Sequence, residues 1–275
     1  MELDLLEEHQ VFGYNRLNIF YKYGVESPIT DLAILLGCQA ENGPKYTTGY
    51  WWLKTNNFDY ILVVDIYGGG QRMYYDDCSI GIRPIIKYSS NSSLINEIKV
   101  NNNKEFIYGT YPQNIIDDDF AGVLENMYHI GNLKTTGKNY MFNNYPEYEC
   151  VGCKCIRVIG NPDINDTIML SDNKVAKRNK VYWIRVSPIE WLIDEKDKIA
   201  ITKKIILTGV SYHNDDYNYI DFKNTDLYKY MNTYLIKDMF DNVSIVNKEN
   251  DNNKEFVGIN NKIKTLRKRI DNIRK

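Results

Sequence analysis

The sequence lacks long apolar runs: none reaches the roughly 18 residues that a membrane-spanning helix needs. It also lacks an excess of either charge, since 34 basic residues face 36 acidic ones and the net charge is −2. This balance argues against a nucleic acid or an anionic membrane as the partner of the whole chain. Proline is scarce, with 7 residues, and a composition that is 43% hydrophobic and 25% charged is that of an ordinary globular protein.

Residues 1–8 are acidic and lack the basic start and apolar stretch of a secretory signal peptide. We therefore expect no signal peptide, and a protein that is cytoplasmic or associated with a virion. Cysteine is also scarce: the 5 cysteines do not form the spaced framework of a small disulfide-stapled domain. Free thiols in a reducing compartment are the simplest interpretation.

Motifs of common catalytic sites are missing from the sequence, among them the nucleophile elbow and the HExxH zinc motif. Gly68-Gly69-Gly70 is not followed by the lysine and helix that a phosphate-binding loop requires. The string Cys150-Val151-Gly152-Cys153-Lys154-Cys155 supplies only three of the four ligands of a structural zinc site, and we interpret it as a β-turn. We accordingly predict no metal, no cofactor and no catalytic residue.

The first part of the chain predicts a helix followed by a β meander. Ser27-Pro28 resembles an N-cap and first helical residue for a helix that runs to Leu36 and stops at Gly37. Residues 50–88 then alternate between β-rich segments and turn residues, as a meander does. Its segments are Trp51-Trp52-Leu53, Tyr60 to Ile66, the turn Gly68-Gly69-Gly70, the return strand with Tyr74-Tyr75, and Gly81 to Tyr88.

The second part of the chain predicts further strands and two helices. Asp117-Asp118-Asp119 precedes residues with helical spacing, and carboxylates at this point complement the positive end of a helix. Thr225 is placed to cap another helix, one that carries Leu227, Tyr230 and Leu235. The predicted strands are Phe106 to Gly109, Cys155–Ile159, Val181–Ile193 and Ile199 to Val210.

Composition divides the chain into four segments: an N-terminal arm (1–26), a core (27–240), a polar linker (241–255) and a basic helix (256–275). The polar stretch from Ser89 to Asn103 separates two halves of the core, 27–88 and 104–240.

The last segment has the a/d spacing of a coiled coil together with a strongly basic surface. We expect it to pack on a partner or on a second copy of the chain. Packing back on the core and binding an anion or nucleic acid as a basic tail are the alternatives. The residues that define it are Ile259, Ile263, Leu266, Arg267, Lys268, Arg269, Ile270 and Ile273.

Two pairs of segments resemble a known family. The first pair is Thr48-Gly49-Tyr50-Trp51-Trp52-Leu53-Lys54-Thr55 and Gly81-Ile82-Arg83-Pro84. The second pair is Tyr108-Gly109-Thr110-Tyr111-Pro112-Gln113 and Pro188-Ile189-Glu190-Trp191-Leu192. Together they resemble a bacterial and phage domain family of uncharacterised function, related in fold to C-type lectins and to the formylglycine-generating enzyme. The resemblance covers residues 27–240.

This resemblance implies an α+β, C-type lectin-like fold: a mixed or antiparallel sheet with flanking helices, to which the basic amphipathic helix is added. It implies that the tryptophan doublet and the Gly81-Ile82-Arg83-Pro84 strand lie side by side in one sheet. Family members usually carry the two pairs of segments in the opposite order. Either the domain is permuted, or two incomplete halves pair through their sheets; we favour one continuous core.

The family resemblance and the residue types together point to a ligand surface on the meander. Trp51 and Trp52 point to opposite faces of their strand, so one belongs to the core and the other lies at a rim or under a second layer. Tyrosine, asparagine and arginine are typical of recognition surfaces. The candidate ligand-binding residues are Trp52, Lys54, Asn56, Asn57, Tyr60, Tyr67, Arg72, Tyr74 and Tyr75.

We therefore expect a non-catalytic binder of a macromolecule, most simply a protein, and by analogy a phage or mobile-element product that blocks a host factor. Self-association through the C-terminal helix is a second expected contact, and nucleic acid is expected only at the basic tail. The alternatives are an oxidase-like enzyme of the formylglycine-generating fold, dependent on Cys38 or Cys78, and a structural virion component.

Overall fold

The computed structural model describes residues 1–55, 60–88, 105–163, 167–214 and 221–240. They form a mixed α+β protein built mostly from antiparallel sheets. The strands are β1 (Leu3–Asp4), β2 (Ala40–Asn42), β3 (Thr47–Gly49), β4 (Trp51–Trp52), β5 (Ile61–Val64), β6 (Gly70–Met73), β7 (Ile85–Lys87), β8 (Glu105–Ile115), β9 (Thr135–Tyr140), β10 (Tyr145–Cys150), β11 (Cys153–Ile159), β12 (Val181–Asp194) and β13 (Ile199–Thr202).

Helices are short and lie between the strands. They are α1 (Glu8–Val11), α2 (Asn18–Tyr23), α3 (Asp31–Leu35), α4 (Asp118–His129), α5 (Asp226–Tyr230) and α6 (Ile236–Met239), with a π-helical turn (Met231–Leu235) and two short 3-10 helices (Phe142–Asn144 and Phe222–Asn224). No helix in the described part of the chain is long and apolar enough to cross a bilayer.

The main sheet has eight strands in the order β1-β7-β13-β12-β11-β10-β9, with β8 paired to β12 off this path. The long strand β12 organises this sheet, because it pairs with β11, β13 and β8. Aromatic and β-branched side chains favour the strand, and both of its tryptophans, Trp183 and Trp191, are buried. The predicted strands at Cys155–Ile159 and Val181–Ile193 are thereby confirmed.

In the described part of the chain, residues 1–26 belong to the same compact unit as the core, whereas the sequence set them apart as an N-terminal arm. Strand β1 pairs with β7, placing Leu3 opposite Ile86. Leu5, Leu6 and Val11 are buried with it. Burial of these apolar side chains is what attaches the segment to the core.

The tryptophan doublet and the Gly81-Ile82-Arg83-Pro84 segment are neighbours. The prediction that they share one sheet is wrong. Strand β4 belongs to a separate three-stranded sheet, β4-β5-β6, while β7 belongs to the main sheet. They meet at Gly81, whose N–H donates to the Tyr50 carbonyl at 2.8 Å and whose carbonyl accepts from Trp52 at 3.1 Å. Pro84 has no N–H to extend this pairing, and the chain passes to the main sheet there.

Both tryptophans of the doublet are fully buried, so the second of them lies under another layer. Trp51 stacks on Phe20, with ring centroids 6.5 Å apart. Trp52 packs on Tyr212 at 5.5 Å. The placement of Trp52 among the ligand-binding residues is therefore wrong, because Tyr212 covers the face that sequence reasoning left open.

The predicted first helix begins later than Ser27-Pro28 indicates. Helix α3 starts at Asp31, and the N-cap is Thr30, whose Oγ1 accepts the Ala33 N–H at 3.3 Å. Pro28 instead forms an extended bridge to Thr48. The predicted strand Ile199 to Val210 is also shorter: β13 ends at Thr202.

Helix α4 confirms the helix predicted after Asp117. The Asp117 carboxylate accepts the Phe120 N–H at 2.9 Å. The helix docks on the main sheet through the buried Leu124 and through Glu125, which accepts two hydrogen bonds from Arg157 at 2.7 and 2.9 Å. Thr225 likewise caps α5 as predicted, accepting the Tyr228 N–H at 3.2 Å.

We expect Asp117→Ala to lower the free energy of unfolding by about 1 kcal/mol, because the N-cap hydrogen bond is lost. The matched control is Asp119→Ala, an exposed carboxylate in the same first turn that caps nothing. It should cost only a few tenths of a kcal/mol from the helix dipole. Urea denaturation of both variants checks this, and equal losses would contradict the capping role.

The expectation that all cysteines are free thiols is wrong for two of them. Cys150 and Cys155 form a disulfide across the hairpin that joins β10 to β11, while Cys38 and Cys153 are free thiols. The predicted turn is present at this point, with Val151 and Gly152 connecting the strands. The hairpin places Cys155 diagonally across from Cys150, two residues past the direct cross-strand partner Cys153, and this proximity is not visible in the sequence spacing. In the described part of the chain, no group of three or more His, Cys, Asp or Glu side chains is placed to hold a metal ion.

Candidate ligand-binding groove

A groove of about 780 Å³ lies between the α1 segment and the β4-β5-β6 sheet. One wall carries acidic and imidazole side chains from the N-terminal segment. The other wall carries three of the predicted ligand-binding residues. Charged and aromatic side chains line the groove, among them Glu7, Glu8, His9, Lys54, Tyr60 and Arg72.

Lys54 holds the two walls together. Its Nζ lies 3.6 Å from a carboxylate oxygen of Asp4 and 3.6 Å from one of Glu7. Its backbone N–H donates to the Leu6 carbonyl at 2.8 Å. Because two carboxylates already compensate this ammonium group, Lys54 is a structural residue of the groove more than a free ligand contact.

Arg72 differs from Lys54 because no carboxylate of the described residues compensates its charge. It lies on β6 opposite Leu62 of β5, and its guanidinium stacks on the ring of Tyr60, with Cζ 3.8 Å from the centroid. The side chain is exposed and makes no hydrogen bond or ion pair with any described residue. Stacking uses the face of the guanidinium and leaves the N–H groups at its edge available.

The floor of the groove is fixed by hydrogen bonds to Thr55. The Thr55 N–H donates to the Tyr212 hydroxyl at 2.9 Å, and that hydroxyl donates back to the Thr55 carbonyl at 3.0 Å. Thr55 Oγ1 also accepts the Leu62 N–H at 3.0 Å. These bonds connect Thr55, at the base of the groove, to Leu62 of β5 and to Tyr212, the residue that packs on Trp52. They fix the base of the groove in place.

Tyr67 lines a different cavity of about 460 Å³, together with Tyr46 and Glu41. Its hydroxyl donates to Glu41 Oε2 at 2.9 Å, and this hydrogen bond to a carboxylate raises the pKa of the phenol. Tyr74 is 79% exposed, and Tyr75 follows it with its carbonyl accepting the His213 N–H at 3.0 Å. Neither of the last two tyrosines lines either cavity.

The nine predicted residues therefore do not form one surface. The structure brings Lys54, Tyr60 and Arg72 together, and it places Tyr67 in a second cavity. Asn56 and Asn57 lie outside the described residues. So do all eight residues predicted for the C-terminal helix and the two linkers, 89–103 and 241–255.

Sequence reasoning missed the acidic wall of the groove. Glu7, Glu8 and His9 were set outside the core with the rest of residues 1–26. The signal that could have placed them is the apolar pattern at Leu3, Leu5 and Leu6, since three closely spaced leucines are more often buried than exposed.

No family model, no curated protein and no solved structure matches this chain. The architecture that the structure establishes is the mixed α+β arrangement of mostly antiparallel sheets.

Proposed function

We propose that this protein is a non-catalytic binding module that recognises a partner protein through the groove between α1 and β6. The observation that carries the proposal is the guanidinium of Arg72, stacked on Tyr60 at 3.8 Å and without an ionic partner among the described residues. An arginine held in this way is ready to form a bidentate pair with a carboxylate of the partner.

The chemistry of the two walls defines the partner segment. Stacking restricts the Arg72 side chain before binding, so less conformational entropy is lost when a carboxylate pairs with it. Arginine and tyrosine are also enriched among residues that dominate binding energy. Across the groove the exposed Glu8 favours a donor or a basic group. The segment that fits presents an acidic side chain to Arg72 and a donor to Glu8.

A C-type lectin-like relationship agrees with this proposal without being required by it. The groove lies on the meander that the family resemblance marks as the ligand surface. We extend the proposal by that analogy to a phage or mobile-element product that blocks a host factor. Self-association through residues 256–275 is proposed on the sequence pattern alone.

A non-catalytic role is also supported by the chemistry of Cys38. The oxidase-like alternative needs a reactive thiol, and a thiolate is the reactive form. Cys38 is buried, and the loss of solvation raises the pKa of its thiol well above the usual value. A thiol in this environment remains protonated at neutral pH.

Peptide arrays of acidic, neutral and basic sequences provide the test. The purified chain should favour the acidic peptides, and Arg72→Gln should weaken that binding at least tenfold, because a charge-assisted pair is lost. The matched control is Arg185→Gln, which removes the same charge from an exposed position on β12 and should bind normally. Equal binding by both variants, or no preference for acidic peptides, would reject the groove as the contact surface.

A further inference from the structure

Arg83 is a buried arginine that has no acidic partner among the residues the structure describes. Its side chain is 2% exposed, and its Nε donates to the Thr202 carbonyl at 2.9 Å. Burial lowers the pKa of Arg83 to about 9, with the Tyr46 phenol as a neighbouring group that raises it. The guanidinium is therefore charged at neutral pH. A buried charge of this kind is strongly unfavourable unless another group compensates it.

Three buried polar atoms of this cluster have no hydrogen-bond partner among the described residues: Arg83 Nη1, Trp51 Nε1 and Thr202 Oγ1. The three residues are neighbours. Arg83 Cζ lies 5.0 Å from the Trp51 ring centroid, and Arg83 Nε donates to the main-chain carbonyl of Thr202. Buried polar groups are paired in the great majority of cases, so unpaired polar atoms on three neighbouring residues call for a bound species.

Aromatic rings cover one side of the guanidinium but do not neutralise it. Phe20 lies 5.9 Å from Arg83 Cζ, next to Trp51. Ring faces attract a cation through their quadrupole and leave its net charge in place. Both orphan nitrogens are donors, and the Thr202 hydroxyl can also donate. A set of donors around a positive charge disfavours a cation and favours an anion.

We propose that Arg83, Trp51 and Thr202 bind a small monovalent inorganic anion, represented by chloride. A water molecule would satisfy the same donors, but it would leave the guanidinium charge uncompensated. The site is independent of the groove at Arg72, because none of its three residues lines that groove. Bound here, the anion would join the tryptophan doublet to the end of β13 and so stabilise the junction between the two sheets.

Chloride-dependent stability tests this site in the full chain. Thermal unfolding is followed while sodium chloride replaces sodium gluconate at constant ionic strength. The midpoint should rise and saturate, by roughly 3–5 °C once chloride reaches tenfold over its dissociation constant. Crystals grown in sodium bromide should show anomalous density within hydrogen-bonding distance of Arg83 Nη1.

Arg83→Met retains the side-chain length without the charge and should lose the saturable chloride response. Arg185→Gln, an exposed arginine on β12, should retain it. If Arg83→Met does not fold, the chloride response and the bromide position of the unmodified chain still decide the question. The absence of a saturable response, or an ordered water in place of bromide at Arg83, would overturn the proposal.

Discussion

Gly81→Ala should destabilise the protein by about 3 kcal/mol, at the upper end of the cost of overpacking a core. A Cβ at this position would lie 2.7 Å from the Tyr50 carbonyl oxygen and would also overlap the Ile205 side chain. The Tyr50 carbonyl cannot move away easily, because it accepts the Gly81 N–H at 2.8 Å. Gly81 also marks the contact between β4 and the segment that leads to the main sheet, so strain there affects both sheets. Chemical denaturation gives the loss as a lower midpoint.

Gly122→Ala is the matched control for this substitution. Gly122 lies in the middle of α4, and a Cβ there would meet no atom within 4 Å. Alanine in place of an interior helical glycine should stabilise the protein by about 0.5–1 kcal/mol. Two glycine-to-alanine changes in one chain are thus expected to have opposite signs. A Gly81→Ala protein as stable as the unmodified chain would show that the sheet junction yields more readily than its packing indicates.

Local signals in the sequence predicted the elements whose determinants are local. Helix α4 was predictable because Asp117 is an N-cap and the apolar residues after it share one face. Strand β12 was predictable because Tyr182 to Val186 has the residue types of a buried strand. The N-cap at Thr225 follows the same logic. These features depend on neighbours within a few residues, and such neighbours are visible in the sequence.

Features that depend on distant pairing were not predictable in the same way. The family resemblance predicted that Trp51-Trp52 and Gly81-Ile82-Arg83-Pro84 lie next to each other, and the two segments do touch. Nothing local shows that the chain passes to another sheet at Pro84. The acidic wall of the groove required that residues 1–26 fold back on β7. The disulfide between Cys150 and Cys155 required the hairpin register. Each outcome is decided by long-range contacts, which no periodicity reports.

The candidate site was predictable in its residue types and not in its grouping. Tyrosine and arginine on the meander indicated a recognition surface, and Tyr60 and Arg72 do form one stacked pair. Trp52 was assigned to that surface because successive side chains of a strand point to opposite faces of the sheet. Only one of the two tryptophans was therefore expected to point into the core. The alternation is correct, but Tyr212 covers the other face. Burial on both sides of a strand is a property of the layers, and a single strand does not reveal it.

Asp238→Asn should remove a large part of the pH dependence of stability between about pH 4 and pH 8. Asp238 is 3% exposed on α6, and burial raises the pKa of its carboxyl to about 7. Its Oδ2 accepts the Met141 N–H at 3.0 Å. Lys138 is a cation that lowers this pKa, and its Nζ donates to the Asp238 main-chain carbonyl at 2.9 Å. Tyr230 and Tyr111, the phenols that face this carboxyl, are buried and carry raised pKa values of their own.

The sign follows from proton linkage. A carboxyl whose pKa is higher in the folded state than in the unfolded chain binds its proton more tightly when folded. Its contribution is fully present below the unfolded pKa and is lost as the pH rises through the folded value. For a shift from 3.8 to about 7, the loss at pH 8 is at most about 4 kcal/mol. Asparagine resembles the protonated acid and can still accept the Met141 N–H, so above pH 7 the variant should be the more stable protein.

Urea denaturation at several pH values measures the free energy of unfolding of the unmodified and Asp238→Asn proteins. The difference between the two values at each pH gives the contribution of Asp238. Taking the difference cancels the contribution of Asp31, another buried carboxyl whose pKa burial raises. Asp118→Asn is the matched control. Its exposed carboxylate bonds to Lys174 and Lys180, and these partners lower its pKa, so it titrates below the window and should leave the slope unchanged. An Asp238→Asn protein that loses stability with rising pH as steeply as the unmodified chain would mean that Asp238 is solvated enough to ionise freely in the folded state.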